Sequence, residues 1–373
     1  MTRLTPHERV FFVACRPDAR EHELTTQRRI AEGLARLLGC HYAGDAPPAG
    51  PAAYAVPNDT LSSLEQAHHL GLRSEADLFG GVVPFPFVAS KAITHALVGP
   101  DAAAPAGWRR DFGERVRDVV LPGHTAYSSA DARTAGLQLL QDGPVRIKPA
   151  AGTGGAGQSV ARNATQLEAQ LGALDDAELQ RHGVILERNL NEARTHSVGL
   201  LRAGDLVASY FGTQRTTRNR HGEEVYGGSD ITVVRGGFDR LVQAAGSDAD
   251  VLWAVSLARA YHDAALQCFA GMLASRANYD VVQGADAHGR MLAGVLESSW
   301  RVGGATGAEV AALQALVEDP SLVQVRASTT EVHDAAAPVP PRATVYFQGE
   351  DPHVGPMTKY AELHEHADTR RED

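Results

Sequence analysis

The stretch Val145–Ser159, VRIKPAAGTGGAGQS, constrains this chain more than any other. A short β-branched run ends at Lys148, and the loop that follows carries four glycines: Gly152, Gly154, Gly155 and Gly157. Glycines let a turn bring several backbone N–H groups close to one anion, and a lysine at a strand end adds positive charge. The stretch therefore predicts a strand, a turn and a phosphate site, with a purely structural turn as the alternative.

The order of residues in this stretch excludes two familiar phosphate loops. The lysine precedes the glycines, so the GxxxxGK[ST] pattern of a P-loop is absent. The stretch also does not open the first strand–helix unit of the chain, as a dinucleotide-binding fingerprint would. Whether it binds phosphate depends on what else the sequence supplies.

Lysine is rare in this chain, which makes its positions informative. Of the 35 basic residues only Lys91, Lys148 and Lys359 are lysines, and the rest are arginines. Lys91 lies in Ser90–Val98, SKAITHALV, which predicts a helix with Ser90 as its N-cap. The helix dipole disfavours a cation in that first turn. A functional lysine and a solvated surface lysine are the two interpretations.

Charge and composition exclude several classes of partner. The net charge of −10 and the pI near 5.9 argue against nucleic acid and against an anionic membrane surface. No apolar run approaches the ~20 residues of a membrane span, and the first residues lack a signal-peptide pattern. Three cysteines without CxxC spacing favour reduced thiols. We therefore expect a cytoplasmic protein that binds neither nucleic acid nor membrane.

Strand and helix patterns alternate from the N-terminus, as in α/β proteins. Arg9–Arg16 predicts a strand, and Ala19–Leu38 predicts a helix that ends at Gly39. A chain of 373 residues is long enough for two or three domains. We expect an α/β (α+β) fold with domains at residues 1–89, 90–208 and 209–330. The rest, 331–373, is expected to be a tail with a strand at Ala343–Gln348.

The polar segment Thr213–Gly237 predicts a long loop, and loops of this length are usually functional or mobile. It carries Arg215, Arg218 and Arg220, which suit an anionic or carboxylate substrate. A solvated, disordered loop is the alternative.

Two carboxylates lie on neighbouring strands of a predicted hairpin. Asp280 belongs to the strand Asn278–Gln283, and Glu297 belongs to the strand Met291–Ser298. Burying acidic residues is costly unless they are paired or bind a cation, and Mg²⁺ takes such oxygen ligands while leaving room for phosphates. The pair predicts a magnesium site, with edge charges that face water as the alternative.

Three further residues near strand ends have candidate roles. The Ser299 hydroxyl can bind Mg²⁺ or phosphate, and Arg301 can stabilise a transferring phosphoryl group. Glu187 lies near the end of the apolar strand Gly183–Leu190, where its side chain and the neighbouring backbone can face a purine edge. An exposed strand-end glutamate is the alternative.

With its parts in this order, the chain resembles the ATP-grasp superfamily over about Ser90–Ala312. SKAITHAL and VRIKPAAGTGGAGQS are similar to motifs of the D-alanine–D-alanine ligases, and the spacing from Glu297 to Arg301 is similar to that of the biotin carboxylases. The resemblance implies an ATP-grasp fold behind an N-terminal α/β pre-ATP-grasp domain, with the glycine-rich lid in residues 90–208 and the metal site in 209–330. It also suggests an ATP-grasp-like family of unknown function.

The resemblance implies ATP and Mg²⁺ (or Mn²⁺), and it assigns roles residue by residue. The nucleotide would be bound by Lys91, Lys148, the glycine loop (Gly152, Gly154, Gly155, Gly157), Glu187 and Leu190 at adenine, and Glu192 at ribose. The metal would be bound by Asp280, Glu297 and Ser299, and Arg301 and Lys148 would be catalytic. The family has asparagine where this chain has Ser299, and arginine where it has Asn278, with Arg276 the nearest replacement.

The resemblance implies an ATP-dependent ligase that activates a carboxylate as an acylphosphate for attack by an amine or a similar nucleophile. Its partners would be a small carboxylate substrate, bound by Arg215, Arg218 and Arg220, and a nucleophilic acceptor. A homodimer is compatible with it. A non-catalytic ATP-binding regulatory protein, favoured by Ser299 and Asn278, and an ATP-dependent kinase of a small molecule are the alternatives.

Overall fold

The computed structural model describes residues 4–45, 47, 53–152 and 157–364. The strands within these ranges are β1 (Arg9–Val13), β2 (His41–Tyr42), β3 (Ala53–Pro57), β4 (Gly81–Val82), β5 (Gly123–Ala126), β6 (Val145–Pro149), β7 (Ser159–Ala161), β8 (Val184–Arg188), β9 (Asn191–Ala203), β10 (Leu206–Arg218), β11 (Glu224–Arg235), β12 (Leu273–Ala274), β13 (Arg276–Ala285), β14 (Met291–Ser299), β15 (Gln324–Val332), β16 (Thr344–Asp351) and β17 (Gly355–Leu363). The helices are α1 (Glu21–Leu38), α2 (Leu64–His69), α3 (Arg110–Arg115), α4 (Ser129–Leu140), α5 (Ala164–Leu171), α6 (Asp176–His182), α7 (Phe238–Ala245), α8 (Ala249–Cys268) and α9 (Thr306–Glu318).

The N-terminal layer is the α/β unit that the sequence predicts. Strands β2, β1 and β3 form a parallel sheet in that order. Helix α1 buries Ile30 and Leu34 against Val10 and Phe12 of β1, and Gly39 ends the helix with φ of 69°. The mixed α/β fold class is thereby confirmed. None of the helices in the described ranges has the length and apolarity to cross a membrane.

A four-stranded antiparallel sheet, ordered β5-β8-β6-β7, carries the glycine-rich stretch. Strands β6 and β7 pair with Ile147 opposite Ser159, so the two ends of the stretch form neighbouring antiparallel strands. Gly152 and Gly157 lie between these strands in sequence, whereas Gly154 and Gly155 lie outside the described residues. Helices α4 and α5 cover the sheet and form a core with it.

The largest sheet has eight strands, ordered β14-β13-β9-β10-β11-β15-β17-β16. A core that includes residues of α1 and α9 lies on one face, and a core that includes residues of α7 and α8 lies on the other. This sheet holds the predicted carboxylates on β13 and β14.

The long loop predicted for Thr213–Gly237 is wrong. Strand β10 continues to Arg218, β11 begins at Glu224, and the two pair almost to their tips, with Arg218 opposite Glu224. The exposed tip of this hairpin is polar, so the alternation of apolar and polar residues that predicts a strand is absent there. Gly212 is required within β10 because a Cβ at this position would clash with the Asp230 carbonyl oxygen.

The prediction of a tail after Glu331 is also wrong up to Leu363. Strand β15 runs to Val332, and the strand predicted at Ala343–Gln348 is β16, which continues to Asp351 and pairs with β17. Strand β17 in turn pairs with β15, which places Lys359 opposite Glu331. The proline-rich connection between β15 and β16 predicts irregular chain, so local patterns do not indicate that these strands belong to one sheet.

The helix predicted for Ser90–Val98 is only one 3₁₀ turn, Lys91–Thr94. Ser90 does cap it, since its hydroxyl accepts a hydrogen bond from the Ala92 N–H at 3.2 Å. The turn ends because the following chain is extended and Leu97 forms a parallel bridge with Thr125 of β5.

Candidate active site

The lysine before the glycine loop is buried in an ion pair. Lys148 on β6 is 4% exposed, and its Nζ contacts Oε1 of Glu187 on the neighbouring strand β8. Oε2 of Glu187 lies 3.1 Å from Nε2 of His95. Burial raises the pKa of Glu187, but the Lys148 charge and the His95 hydrogen bond outweigh it and lower that pKa to about 2. An ionised carboxylate therefore holds both side chains in place.

This arrangement rules out the exposed strand-end glutamate. It also adds a residue that the sequence analysis missed, His95, which is 1% exposed. The signal was present, because His95 lies four residues after Lys91 in the same motif. Its contact with Glu187, however, spans 92 residues of chain and depends on the position of β5.

Gly123 on β5 makes room for His95. A Cβ at position 123 would lie 2.8 Å from His95 Cε1 and 2.8 Å from the Leu186 carbonyl oxygen. We expect Gly123→Ala to lower the free energy of unfolding by about 1–3 kcal/mol, because backbone on one side cannot move aside. Urea unfolding measures this. Gly99→Ala is the matched control, since a Cβ there meets no atom within 4 Å. Equal stability of the two variants would contradict the role given to Gly123.

Lys91 connects the same segment to the large sheet. Its Nζ lies 2.7 Å from Oε2 of Glu297 on β14, and the lysine is 8% exposed. The Thr94 hydroxyl donates to the Leu296 carbonyl at 3.3 Å. The solvated surface lysine is thus excluded, and one short segment carries contacts to both sheets through Lys91 and His95.

Asp280 and Glu297 lie directly opposite each other on β13 and β14. One oxygen of Asp280 accepts hydrogen bonds from three neutral side chains: Asn278 Nδ2 and Gln214 Nε2, both at 3.0 Å, and Ser197 Oγ at 3.2 Å. Burial, and after it the charge of Glu297, raises the pKa of Asp280 to about 6. The neutral donors hold the carboxylate without supplying the positive charge that would balance it.

Ser299 and Asn278 extend this polar face by one pair. They lie opposite each other, two residues from Glu297 and Asp280, so all four side chains point to the same face of the sheet. Among the residues that the structure describes, no group of three or more His, Cys, Asp or Glu side chains is arranged to hold a metal ion. A metal here would need the two carboxylates, the hydroxyl or amide oxygens, and oxygens from outside the protein.

A buried ion pair fixes the base of this face. Arg276 on β13 donates to Glu309 in the first turn of α9, with Nη2–Oε1 and Nε–Oε2 distances of 2.6 and 3.1 Å. Tyr210 donates to Glu309 and also contacts Asn278. Arg276 further reaches the Ser299 carbonyl at 3.3 Å. Arg276 therefore anchors α9 and both strands rather than replacing an arginine at position 278.

Arg301 lies just after β14, where the chain turns into the loop before α9. Its Nε is 3.7 Å from Asp59 Oδ1, beyond a direct hydrogen bond, and its Nη1 donates to the Val302 carbonyl. Its side chain also lines a cavity of about 250 Å³ beside α1.

The remaining predicted residues are placed as follows. Leu190 is buried with Leu121 and Val282, and Glu192 is exposed at the start of β9 with φ of 50°. The predicted substrate arginines are not gathered at the carboxylates: Arg215 bonds Asp230, Arg218 bonds the Gly222 carbonyl, and Arg220 bonds the His353 carbonyl. Gln214, next to Arg215, contacts Asp280 instead.

The chain has an ATP-grasp fold, in which one sheet carries the glycine-rich stretch and the other carries the carboxylate pair. The fold is similar to N5-carboxyaminoimidazole synthetase from Staphylococcus aureus, with a TM-score of 0.51, 10% identity, and coverage of 98% of this chain and 96% of that chain. The same enzyme complexed with ADP gives 0.50, 11%, 98% and 96%. A beta-gamma-ATP complex of biotin carboxylase from Campylobacter jejuni gives 0.50, 10%, 96% and 87%.

Within that fold class, the chain belongs to the family described as "Protein of unknown function (DUF3182)", whose model matches residues 10–361. No curated protein matches the chain.

Proposed function

We propose that this protein is an ATP-dependent ligase that activates a small carboxylate substrate as an acylphosphate. One observation carries the proposal: the segment that contains Lys91 and His95 contacts both the strand beside Lys148 and the carboxylate pair. Lys148 contacts Glu187, which contacts His95; Lys91, on the same segment as His95, contacts Glu297, which faces Asp280. Two buried lysines, together with a pair of facing carboxylates, suit a polyphosphate with a divalent cation.

The nucleotide would lie between the two sheets. Lys148 and Lys91 would each bind phosphate oxygens, and the glycine-rich stretch after Lys148 would cover the β- and γ-phosphates. Because the Glu187 carboxylate is engaged by Lys148 and His95, adenine would be recognised by the backbone near Leu190, and ribose by Glu192. The ADP complex of the similar synthetase supports nucleotide binding to this fold.

The carboxylate pair fits a magnesium ion. Asp280 and Glu297 are close enough for the Glu297 charge to contribute to the raised pKa of Asp280, and Lys91 forms an ion pair with Glu297. These two residues would hold the ion, with Ser299 as a third oxygen donor. When bound, the ion would neutralise the phosphate charge.

The chemistry proposed is two displacements. A carboxylate oxygen of the substrate attacks the γ-phosphorus, the bond to the β,γ-bridging oxygen breaks, and ADP leaves. An amine then attacks the acyl carbon, phosphate leaves, and the nitrogen loses a proton. Lys148 would stabilise the charge on the phosphates, and Arg301 would hold the transferred group.

The test is ATP-dependent phosphate release with a panel of small carboxylates, in the presence and absence of hydroxylamine. Hydroxylamine is a strong nucleophile that converts an acylphosphate to a hydroxamate. We expect one acid or a few related acids to stimulate phosphate release and to yield a hydroxamate. A stable phosphorylated product that does not react with hydroxylamine would identify a kinase instead.

A non-catalytic ATP-binding protein is the second candidate. It is favoured by Ser299, whose carbonyl and hydroxyl oxygens lie 3.3 and 3.5 Å from Arg276 Nη1, because this contact competes with a role as metal ligand. Tight Mg-ATP binding by calorimetry, with no phosphate release across the whole panel, would support this candidate and contradict the ligase.

A further inference from the structure

The third lysine of the chain, Lys359, is buried beside a glutamate, as Lys91 and Lys148 are. Lys359 on β17 is 7% exposed, and its Nζ lies 2.9 Å from Oε2 of Glu331, the residue opposite it on β15. All three lysines are therefore buried beside glutamates. The proposed ligase gives roles to Lys91 and Lys148 and leaves Lys359 without one. Because a buried ion pair contributes little to stability, the burial of Lys359 with Glu331 is better explained by a role in binding.

Lys359 lines the same cavity as Arg301. The cavity, of about 250 Å³, lies between α1, the Arg301–Gly307 turn and the strands β15 and β17. Drug-sized ligands occupy cavities of about 300–1,000 Å³, so this space suits a molecule of amino-acid size. Arg301 lines this cavity and lies two residues after the end of β14, the strand that carries Glu297.

A second, independent observation that points to a ligand in this cavity is the side chain of His22 on α1. The side chain is 94% buried against the edge of the Phe347 ring, yet neither ring nitrogen has a hydrogen-bond partner among the described residues. Burial, and after it the charge of Lys359, lowers the pKa of His22 to about 4, so the ring is neutral at pH 7. A buried neutral imidazole has one donor and one acceptor to satisfy.

The charges in the cavity wall indicate what kind of ligand fits. Lys359 is balanced by Glu331, and Glu23 is balanced by Arg16. The Arg301–Asp59 ion pair, with an Nε–Oδ1 distance of 3.7 Å, is the longest of these three pairs and too long for a hydrogen bond. The wall thus offers one cation for an anionic group, together with a set of donors and acceptors for a neutral or zwitterionic one.

From this geometry we infer that the cavity binds the carboxylate substrate, and that this substrate is a small amino or hydroxy acid. Its carboxylate lies at Arg301, and its amino or hydroxyl group is bound by His22 and the Lys359–Glu331 pair. The inference rests on the proposed function in one respect: the ligand is a substrate only if the protein is the proposed ligase. Binding of the ligand in the cavity does not itself require ATP.

Thermal unfolding of the full chain without ATP tests the site. The probes are glycine, L- and D-alanine, L- and D-serine, lactate, glycolate and glycerate, each at millimolar concentration. We expect at least one to raise the unfolding temperature by about 2 °C or more. No shift with any of these probes overturns the inference.

Two variants test the assignment of residues. Lys359→Met combined with Glu331→Gln removes the ion pair without leaving a lone buried charge, and His22→Phe keeps an aromatic ring but removes both nitrogens. We expect each variant to lose the shift. The matched control, Arg259→Met with Asp239→Asn, removes an exposed ion pair between α8 and α7 and keeps the shift. A shift that survives in either folded test variant overturns the inference.

The same melts separate this inference from the proposed ligase. A shift with Mg-ATP but none with the acids contradicts the cavity and leaves the ligase standing. A shift with an acid but none with Mg-ATP supports binding of the acid in the cavity and contradicts the ATP binding that the ligase requires. With the acid that binds, the double variant should raise the KM for that acid at least tenfold and change the KM for ATP less than twofold.

Discussion

Replacing Lys148 with methionine is expected to abolish measurable ATP binding. Removing one partner of a buried charged contact costs about 2–5 kcal/mol, which corresponds to a loss of roughly 30-fold to several thousand-fold in affinity. Methionine is unbranched like lysine and only one atom shorter, so the loss would report mainly the charge rather than a cavity. Calorimetric titration with ATP measures it, and an unchanged dissociation constant would contradict the role of the whole glycine-rich stretch.

The same variant should also be less stable, which calls for a control. Methionine at position 148 leaves Glu187 buried with only His95 beside it, and an unpaired buried charge costs about 3–5 kcal/mol. Adding Glu187→Gln removes that charge and should restore most of the stability. If the double variant is stable and still fails to bind ATP, the binding defect is not a folding defect.

The pH dependence of stability provides a second check on this pair. The pKa of Glu187 falls from its ordinary value of 4.5 to about 2 in the folded protein. A carboxyl with a lowered pKa stabilises the fold above pH 4.5, and this contribution is lost as the pH falls toward 2. The double variant Lys148→Met/Glu187→Gln should therefore lose less stability than the wild type over that range.

The elements predicted well from the sequence are those set by local patterns. Helix α1 and Gly39 follow from apolar spacing and a C-cap, and β13 with β14 follow from two apolar runs around a turn. The contact between Lys148 and Glu187 could not be read in this way, because the residues lie 39 positions apart and meet only through the β6–β8 register.

The errors have the same cause. The segment 213–237 was predicted as a loop, but pairing with β9 and β15 on its two sides makes it part of the large sheet. Strand β17 was missed because its stabilisation comes from β15 and β16, not from its own composition. Local patterns therefore assign Lys359 to a tail, whereas the pairing of β17 with β15 places it in the cavity wall.

Asp280→Asn and Glu297→Gln are expected to have the same effect on magnesium and opposite effects on stability. Each removes one carboxylate of the proposed metal site, so each should abolish the additional stabilisation that Mg²⁺ gives in the presence of ATP and reduce turnover by about a thousandfold or more. Thermal unfolding with ATP, with and without Mg²⁺, and phosphate release measure these effects.

Without nucleotide or metal the two variants should separate. Asp280→Asn removes a buried charge, and with it the repulsion from Glu297, while it keeps the Lys91–Glu297 pair. It should therefore raise the free energy of unfolding at pH 7 by about 1–3 kcal/mol. Glu297→Gln leaves Lys91 buried without its counter-charge and should lower that free energy by a similar amount. Urea unfolding in EDTA compares them.

The contribution of Asp280 to the free energy of unfolding depends on pH. The raised pKa of Asp280, about 6, means that the folded protein holds a proton between about pH 4 and 6 that the unfolded chain has released. Wild-type stability from this group is therefore present below pH 4 and is lost as the pH rises through 6, whereas Asp280→Asn has no such component. If Asp280→Asn destabilises the protein at pH 7, the charge of Asp280 is not a net cost to the fold. If it still responds to Mg²⁺, Asp280 is not a ligand.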